Sequence, residues 1–528
     1  MRNTHRFRLA ELLAPALAIP FLLASAALLA AASAKDADVI VYGGTPAGVM
    51  AAVAAARHGH TVALVEMNNH VGGMISGGLV NTDIGDRKTV GGLADEFLKR
   101  AVQFYADKYG AHSPQLVACK NGRKFEPHVA EFVFEQMLKE QPGITVWKRH
   151  RYRSVTLDGT RIAALVVDDL AGQSTRTFTG DVFIDASYEG DMMAGARVPY
   201  RVGREGREEY GESLAGISAG PDQGQADKGV MAYNYRVSIT GRTENRVLFP
   251  KPEHYDPEPW RAKYGRRIAI GKLASFGQLF ISKPGANDKH DANWCDLVGG
   301  SAGYPEGDWA TRAQIEARHR DYFLSFLYYL QNDPELPEAF RASAQQWGLP
   351  KDEFTDSGHF PFQLYVREAR RMVGSYVLRE SDLTQIRRKP DGVCAGSYGV
   401  DCHIVQILTL DGKRVADRTP HISVKPYDIP YACLTPREPG NLLVPVCCSA
   451  THVAYCSLRM EPTYMMLGHA AGDAAHLAIA GGTTVQKVDA QVLRELLRKE
   501  GAALDAALAA KAESEPNVTP TLEKPAQN

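Results

Sequence analysis

The clearest pattern of apolar and polar positions begins at residue 38. Residues 39–42 form a short apolar run, residues 49–58 are rich in alanine and contain no helix breaker, and residues 61–65 are apolar again. A short buried run on each side of an uninterrupted helical segment predicts a strand–helix–strand unit with parallel strands. Gly59 stands where a glycine commonly ends a helix.

The turn between the first strand and the helix is rich in small residues and predicts a dinucleotide site. A glycine at its start permits a sharp bend, small residues let the backbone approach a pyrophosphate, and a final glycine lets helix and strand pack closely. An acid at the end of the second strand can accept hydrogen bonds from a ribose. The residues concerned are Gly43, Gly44, Thr45, Pro46, Ala47, Gly48 and Glu66.

One position departs from the usual G-x-G-x-x-G spacing, because Thr45 replaces the middle glycine. The longer pattern, with Ala52, Gly59 and Val62 at the expected distances, matches the extended FAD-binding form of the unit. The alternative interpretation is an ordinary βαβ unit with a glycine turn. A second glycine-rich stretch at residues 68–78 favours the cofactor site. Its members Gly72, Gly73 and Met74 suit a backbone wrapped closely around a flat ligand, although a flexible surface loop is the alternative.

Periodicity predicts the remaining elements. We expect helices at residues 93–109, 127–139, 313–330, 335–347, 463–480 and 491–511. We expect strands at residues 144–147, 153–167, 175–178, 182–184, 230–239 and 441–446, those of 153–178 forming an antiparallel insertion around Asp158-Gly159. The strand at 182–184 ends in Asp185 and Ala186, with Asp191 at a following helix start, and this turn is a candidate second contact to the cofactor.

The helix at 463–480 follows Met460 and Glu461 and carries Gly468 and Gly472 at close-packing positions. Its positive N-terminus could face the cofactor, and a plain core helix is the alternative.

Candidate catalytic groups lie later in the chain. His403 could move a proton, since the ordinary pKa of histidine suits that work, although a structural histidine is the more common case; His452 is the other candidate. Arg367 and Arg370, in a segment with four charged residues, could orient a polar ligand. The alternative for that segment is a solvated helix face.

Composition excludes several classes. A formal net charge of −1 gives no electrostatic case for nucleic acid.

Residues 1–34 have a basic start, an apolar run and an Ala-Ser-Ala end, which predict a signal peptide cleaved after Ala34, with an uncleaved anchor as the alternative. We therefore expect a periplasmic or secreted protein with no stable membrane span after cleavage. The eight cysteines show neither zinc-like spacing nor a ferredoxin-type run, and their pairing cannot be deduced.

The chain resembles a family of exported FAD-dependent oxidoreductases with a glutathione-reductase-type fold. The resemblance rests on the segments DVIVYGGTPAGV, HVGGMISGGL, FIDASYEGD, YVREARRMVGSY, GSYGVDCHIVQ, PYDIPYACLTP and SATHVAYCSLRMEPTYMMLGHAAGDAA. It implies bound FAD, a discontinuous nucleotide-binding domain and an inserted substrate domain, and it makes Thr45 a family trait. It leaves the small-molecule substrate and the electron acceptor open.

We therefore expect an α/β fold: a Rossmann-like parallel sheet with an antiparallel β insertion and an inserted α+β substrate domain. The expected division is 36–205 and 435–485 for the FAD-binding domain, 206–434 for the substrate domain, and 486–528 for a helix and polar tail. The expected function is two-electron chemistry on a small organic substrate, such as a saccharide or polyol. The alternatives are a thiol–disulfide flavoenzyme using Cys447 and Cys448, and a non-enzymatic nucleotide-binding module.

Overall fold

The computed structural model describes residues 35–279, 284–385 and 388–505, together with Met1. The predicted signal peptide, beyond Met1, and the polar tail lie outside the described residues. So does the end of the predicted C-terminal helix.

The helices and strands follow the chain in this order. The main helices are α1 (Pro46–Arg57), α2 (Gly92–Tyr109), α3 (Pro127–Lys139), α4 (Trp309–Asn332), α5 (Glu338–Ala344), α6 (His452–Leu458), α7 (Glu461–Ala480) and α8 (Ala490–Lys499). The main strands are β1 (Val39–Tyr42), β2 (Val62–Val65), β3 (Ile144–Trp147), β4 (His150–Asp158), β5 (Arg161–Asp169), β6 (Ser174–Phe178), β7 (Val182–Asp185), β8 (Val237–Thr240), β9 (Lys289–Ala292), β10 (Gly392–Gly396), β11 (Gln406–Leu410), β12 (Lys413–Asp417), β13 (Tyr427–Pro430) and β14 (Leu442–Leu443). Shorter helical turns include Gly73–Ser76, Pro114–Ala118, Asp191–Gly195, Arg207–Tyr210 and Glu380–Thr384.

A five-stranded parallel sheet has the order β14-β7-β1-β2-β3. Every residue of β1, β2 and β7 is buried, as expected for apolar strands covered on both faces. The predicted strand–helix–strand unit is confirmed, and α1 begins three residues earlier than its apolar pattern because Thr45 caps it at Pro46. The predicted α/β class is confirmed.

An antiparallel sheet of β4, β5 and β6 lies between β3 and β7 in the chain. This is the predicted insertion. Further two-stranded antiparallel pairs, such as β8 with β9 and β10 with β13, lie between β7 and β14.

Helix α7 packs directly on α1. A Cβ at Gly468 would overlap the carbonyl oxygen of Ala47, and one at Gly472 would lie 2.5 Å from the oxygen of Ala51. The two backbones therefore touch without intervening side chains, so the last long helix of the chain holds the first in place.

Three local predictions are wrong. Of the strand expected at 230–239, only the end forms a strand, β8, which begins at Val237. Residues 230–236 pair with loops and not with a neighbouring strand. The segment 363–376, considered as a solvated helix face, is a buried extended segment whose arginines bond to acids and carbonyls. The notion of a strand at His403, drawn from the apolar residues that follow it, is also wrong, since His403 lies in a loop before β11. Within the described residues, no helix has the length and apolar character needed to cross a membrane.

Candidate functional site

The turn between β1 and α1 is closed by backbone contacts that only glycine allows. Gly43 has φ +100°, and a Cβ there would lie 2.7 Å from the Ala186 carbonyl carbon and the Ser187 nitrogen. A Cβ at Gly48 would overlap the Gly43 oxygen. The turn therefore brings the N-terminus of α1 directly to the ends of β1 and β7.

Thr45 joins these parts. Its hydroxyl oxygen accepts a hydrogen bond from the Gly48 amide at 3.2 Å and donates to the Ala186 carbonyl at 2.7 Å. The first bond caps α1, and the second ties the turn to the end of β7. Thr45 thus performs a task that a glycine could not. The Thr-Pro sequence at a helix start is the signal that could have revealed the cap, whereas the Ala186 contact has none.

Glu66 braces the same turn from the end of β2. Its carboxylate accepts hydrogen bonds from the Gly44 amide at 2.6 Å and the Asn68 amide at 2.7 Å. Burial raises the pKa of Glu66 although these amides lower it. Beside this carboxylate lies a pocket with an empty volume of about 400 Å³, lined in part by Gly43, Thr45 and Tyr188.

The glycine-rich loop packs against this pocket. The Gly72 amide donates to the Gly44 carbonyl at 2.6 Å, and Gly72 and Gly73 both have positive φ. A Cβ at Gly73 would lie 2.5 Å from the Tyr188 hydroxyl oxygen. The loop is buried at Gly72, Gly73 and Met74, so it is part of the site and not a free surface loop.

Tyr188 connects three remote segments, and sequence reasoning did not single it out. Its hydroxyl accepts a hydrogen bond from the Met74 amide at 3.0 Å and donates to Glu461 Oε1 at 2.9 Å. Burial raises the pKa of Glu461 to about 8, and its Oε2 has no hydrogen-bond partner among the described residues. Met460, the N-cap residue of α7, precedes it.

The remaining predicted cofactor residues have protein partners. Asp185 accepts bonds from the Ser187 hydroxyl at 2.7 Å and the Met193 amide at 2.7 Å, and burial raises its pKa to about 6. Asp191 is held by Arg312 at 2.5 Å and by Arg370 at 2.6 Å. These carboxylates fix the end of β7 and the turn after it.

The turn, the glycine loop and Glu461 fit a dinucleotide. The turn has no room for side chains at Gly43 or Gly48, and the twelve-residue helix α1 starts there. In the part of the chain that the structure describes, a buried carboxylate oxygen of Glu461 has no hydrogen-bond partner. The residues that would hold such a cofactor are those of the turn, Glu66, the loop and Tyr188.

A cluster of buried charges surrounds Tyr365, and we call it the Tyr365 cluster. The guanidinium groups of Arg236, Arg367 and Arg459 lie 6.0, 4.6 and 5.9 Å from the centre of the Tyr365 ring. Each arginine faces a carboxylate. The members of the cluster are Tyr365, the three arginines, Asp83, Asp291, Asp296, Asp401 and His403.

The glycine loop runs into this cluster. A Cβ at Gly78 would overlap the Arg236 carbonyl, and one at Gly77 would lie 2.5 Å from the Gln363 Cβ. The loop therefore links the dinucleotide turn at one end to the Tyr365 cluster at the other.

His403 and Asp296 form a hydrogen-bonded pair within the cluster. His403 Nδ1 lies 2.5 Å from Asp296 Oδ2, and Arg367 lies 3.1 Å from the other carboxylate oxygen. Burial opposes ionisation of Asp296, but the Arg367 charge and the His403 hydrogen bond lower its pKa to about 2. Burial and the Arg367 charge lower the pKa of His403. Both side chains remain about one quarter exposed, at 21% and 26%.

The structure thus brings Arg367 and His403 together, and it does not bring Arg370 or His452 to them. Arg370 bonds to Asp191 and the Glu189 carbonyl on the β7 side. His452 is fully buried between Glu368 and two cysteines.

Cys447 and Cys448 are adjacent in sequence but belong to different core clusters. The Cys447 thiol donates to the Ser187 and Tyr188 carbonyls, at 3.5 and 3.3 Å. Burial raises the pKa of both thiols, to about 12 for Cys448, which opposes thiolate formation.

Comparison with known proteins gives one match over most of the chain. The family model described as FAD dependent oxidoreductase matches residues 38–497. No curated protein matches the chain.

Solved structures match in part. THI4 of Thermovibrio ammonificans is 15% identical, with 39% of this chain and 73% of that chain covered and a TM-score of 0.22. The glycerol-3-phosphate dehydrogenase of Bacillus halodurans, complexed with FAD, is 14% identical over 31% of this chain and 37% of that chain, with a TM-score of 0.24. The myxobacterial halogenase CndH is 18% identical, with 32% of this chain and 41% of that chain covered, and its TM-score is also 0.24.

Proposed function

Since the chain belongs to the FAD-dependent oxidoreductase family, we propose that it oxidises a small polyhydroxyl compound, a saccharide or a polyol, at the Tyr365 cluster. FAD is its cofactor, held by the turn after β1, the glycine loop and Glu66. In the proposed domain division, residues 36–205 and 435–485 bind FAD and residues 206–434 supply most of the substrate site.

The observation that carries the proposal is the orientation of His403. Because Nδ1 faces Asp296 at 2.5 Å, the proton on that nitrogen is fixed and Nε2 is the base. Nε2 has no partner among the described residues, and the lowered pKa of His403 keeps the ring neutral and ready to accept a proton.

The proposed reaction needs one proton acceptor. Bound FAD would supply the acceptor for the hydride equivalent that leaves the substrate carbon. His403 Nε2 takes the proton of the substrate hydroxyl, and Asp296 stabilises the imidazolium that results. Arg367 is a positioning residue, since it bonds to Asp296 at 3.1 Å and to the Asn234 side-chain oxygen at 3.1 Å.

Charge in the cluster favours a neutral substrate. Three arginines face four aspartates, so the positive and negative charges of the cluster nearly cancel, and burial raises the pKa of Asp83. Asp401 has 36% of its side chain exposed and can accept hydroxyl hydrogen bonds. An anionic substrate would meet these carboxylates at close range, whereas hydroxyl groups can bond to both carboxylates and guanidinium groups.

The test is anaerobic bleaching of bound FAD by a panel of sugars, polyols and organic acids. We expect bleaching by a member of the first two groups. Bleaching by acids alone would refute the substrate class, and a purified protein that binds no FAD would refute the proposal as a whole.

The role of His403 is tested with the variant His403→Gln. It is expected to lose about 10²–10⁴ in the rate of bleaching, the usual contribution of a general base. His254 offers a matched control, because it forms a comparable pair with Asp321 at 2.7 Å but has 77% of its side chain exposed. His254→Gln should bleach at the parent rate, and equal losses in both variants would remove the case for His403.

The proposal includes export, and the N-terminal sequence is its support. A basic start, an apolar run and a small-residue end are typical of a cleaved leader. Cell fractionation followed by N-terminal sequencing should find a periplasmic or secreted protein that begins at Lys35. Recovery of the intact N-terminus in the cytoplasm would contradict it.

A further inference from the structure

A cluster of sulfur and imidazole side chains lies apart from the FAD-binding turn and borders the Tyr365 cluster, since Cys402 stands between Asp401 and His403 in the chain. Cys402 Sγ is 3.4 Å from His452 Nε2, and Cys456 Sγ is 3.8 Å from the same nitrogen. Met231 Sδ lies 4.0 Å from Cys456 Sγ. The ligand atoms of the two cysteines and the histidine all lie within 4.8 Å of one another, and all four residues are buried.

The fold brings these side chains together from three segments. His452 and Cys456 are four residues apart on α6, so they lie on one face of that helix. Cys402 comes from the loop before β11, and Met231 comes from the segment before β8. Their spacing in sequence is therefore unlike any linear metal motif.

The separations match the edges of a metal tetrahedron. Bonds of about 2.3 Å to sulfur and about 2.0 Å to nitrogen give edges of about 3.6 Å between sulfur and nitrogen and about 3.8 Å between two sulfurs. The observed 3.4, 3.8 and 4.0 Å lie within a few tenths of an ångström of these values.

A carboxylate lies behind the histidine, as in many metal sites. Glu368 Oε1 and Oε2 are both 2.9 Å from His452 Nδ1, which directs Nε2 toward the two sulfurs. Arg371 holds Glu368 at 2.8 Å and Glu205 at 2.6 Å. Glu205 in turn accepts a hydrogen bond from the His452 backbone amide at 2.9 Å. The imidazole is thus fixed before any ligand arrives.

We propose that Cys402, His452 and Cys456, with Met231 as the fourth ligand, bind one soft metal ion, Zn²⁺ or Cu⁺. Thiolate, thioether and imidazole ligands select such ions over Mg²⁺ or Ca²⁺. Two thiolates neutralise Zn²⁺, whereas the thioether favours Cu⁺. The site joins α6, which leads directly into α7, to the loop that carries His403, so the ion fixes the position of that loop.

The test measures metal, and so it does not depend on the proposed redox activity. The FAD-bound protein, carrying no histidine tag and purified without chelators, is analysed by plasma mass spectrometry, then stripped and titrated separately with Zn²⁺ and Cu⁺. We expect one ion per chain, and the titration, with Zn²⁺ or with Cu⁺, that restores this stoichiometry identifies the metal. Cys456→Ser should lose the ion, whereas Cys119→Ser, which removes another fully buried thiol, should keep it.

A second measurement serves if Cys456→Ser does not fold. Co²⁺ added to the stripped parent protein should give tetrahedral d–d bands at wavelengths longer than those absorbed by flavin. No retained Zn²⁺, Cu⁺ or Co²⁺ would overturn the proposal. A Cys402–Cys456 disulfide found by peptide mass spectrometry, or unchanged metal content in Cys456→Ser, would overturn it equally.

Discussion

Replacing Thr45 by valine tests whether the turn after β1 is organised by a side chain that is not glycine. The change keeps the shape of the residue and removes its hydroxyl. Two hydrogen bonds are lost, one from the Gly48 amide at 3.2 Å and one to the Ala186 carbonyl at 2.7 Å. Losing a helix cap costs about 1 kcal/mol, and leaving a buried carbonyl without a donor costs about 1–3 kcal/mol. The free energy of unfolding should therefore fall by about 2–4 kcal/mol.

The affinity for FAD should fall as well, because the turn proposed to hold the phosphates is the structure released. If the conformation of the turn that binds FAD is destabilised by about 1.4 kcal/mol, the Kd for FAD rises about tenfold. Urea unfolding of the FAD-free protein measures the stability, and quenching of flavin fluorescence measures Kd.

Thr451 provides the matched control. It caps α6 through the Ala454 amide at 3.2 Å and donates to Glu212 at 2.7 Å, so the same two kinds of bond are lost in Thr451→Val. That variant should lose comparable stability and keep the parent Kd for FAD. An unchanged Kd in Thr45→Val, together with the expected loss of stability, would show that Thr45 only caps a helix.

Three further substitutions test the roles assigned to carboxylate side chains. Asp296→Asn should lower the rate of FAD bleaching by about 10²–10⁴, since a neutral amide cannot stabilise the His403 imidazolium and can donate to Nδ1, which reverses the tautomer; a parent rate would refute the pairing. Glu66→Ala leaves two backbone amides without their acceptor and should raise the Kd for FAD, which flavin fluorescence measures, and an unchanged Kd would contradict the role of this acid. The folded-state pKa of Glu461, about 8, exceeds its unfolded value, so the FAD-free protein should lose stability as the pH rises from about 4.3 to about 8. Glu461→Gln should flatten that dependence in urea unfolding, and the same slope in both proteins would refute the assignment.

Local pattern was sufficient for the parts of the fold that are built from neighbouring residues. The unit β1-α1-β2, the helix α3 and the strand β3 follow from apolar runs and breakers that are close together in the sequence, the unit itself lying within residues 39–65. The glycine turn and Glu66 are found for the same reason.

The proposed substrate site could be found only in part, because Arg367 and His403 were predicted separately and its members meet only in the folded chain. Asp296 and His403 are 107 residues apart, and the segment that carries Arg367 has no periodicity to show that it is buried. The role of Thr45 depends on Ala186, 141 residues away. The cysteines show the same limit, since Cys402 and His452 are 50 residues apart and no spacing rule covers them.

The contact of Tyr188 with Met74 and Glu461 makes cofactor binding a property of the finished chain. A ribosome releases β1 and the glycine turn hundreds of residues before Glu461 and α7 are made. Until α7 arrives, α1 lacks the helix that packs against its backbone, and Tyr188 lacks its acceptor. A nascent or truncated chain that ends before residue 461 should retain no FAD after gel filtration, even when FAD was supplied in excess. The first retention of FAD during synthesis therefore times the docking of the C-terminal helix.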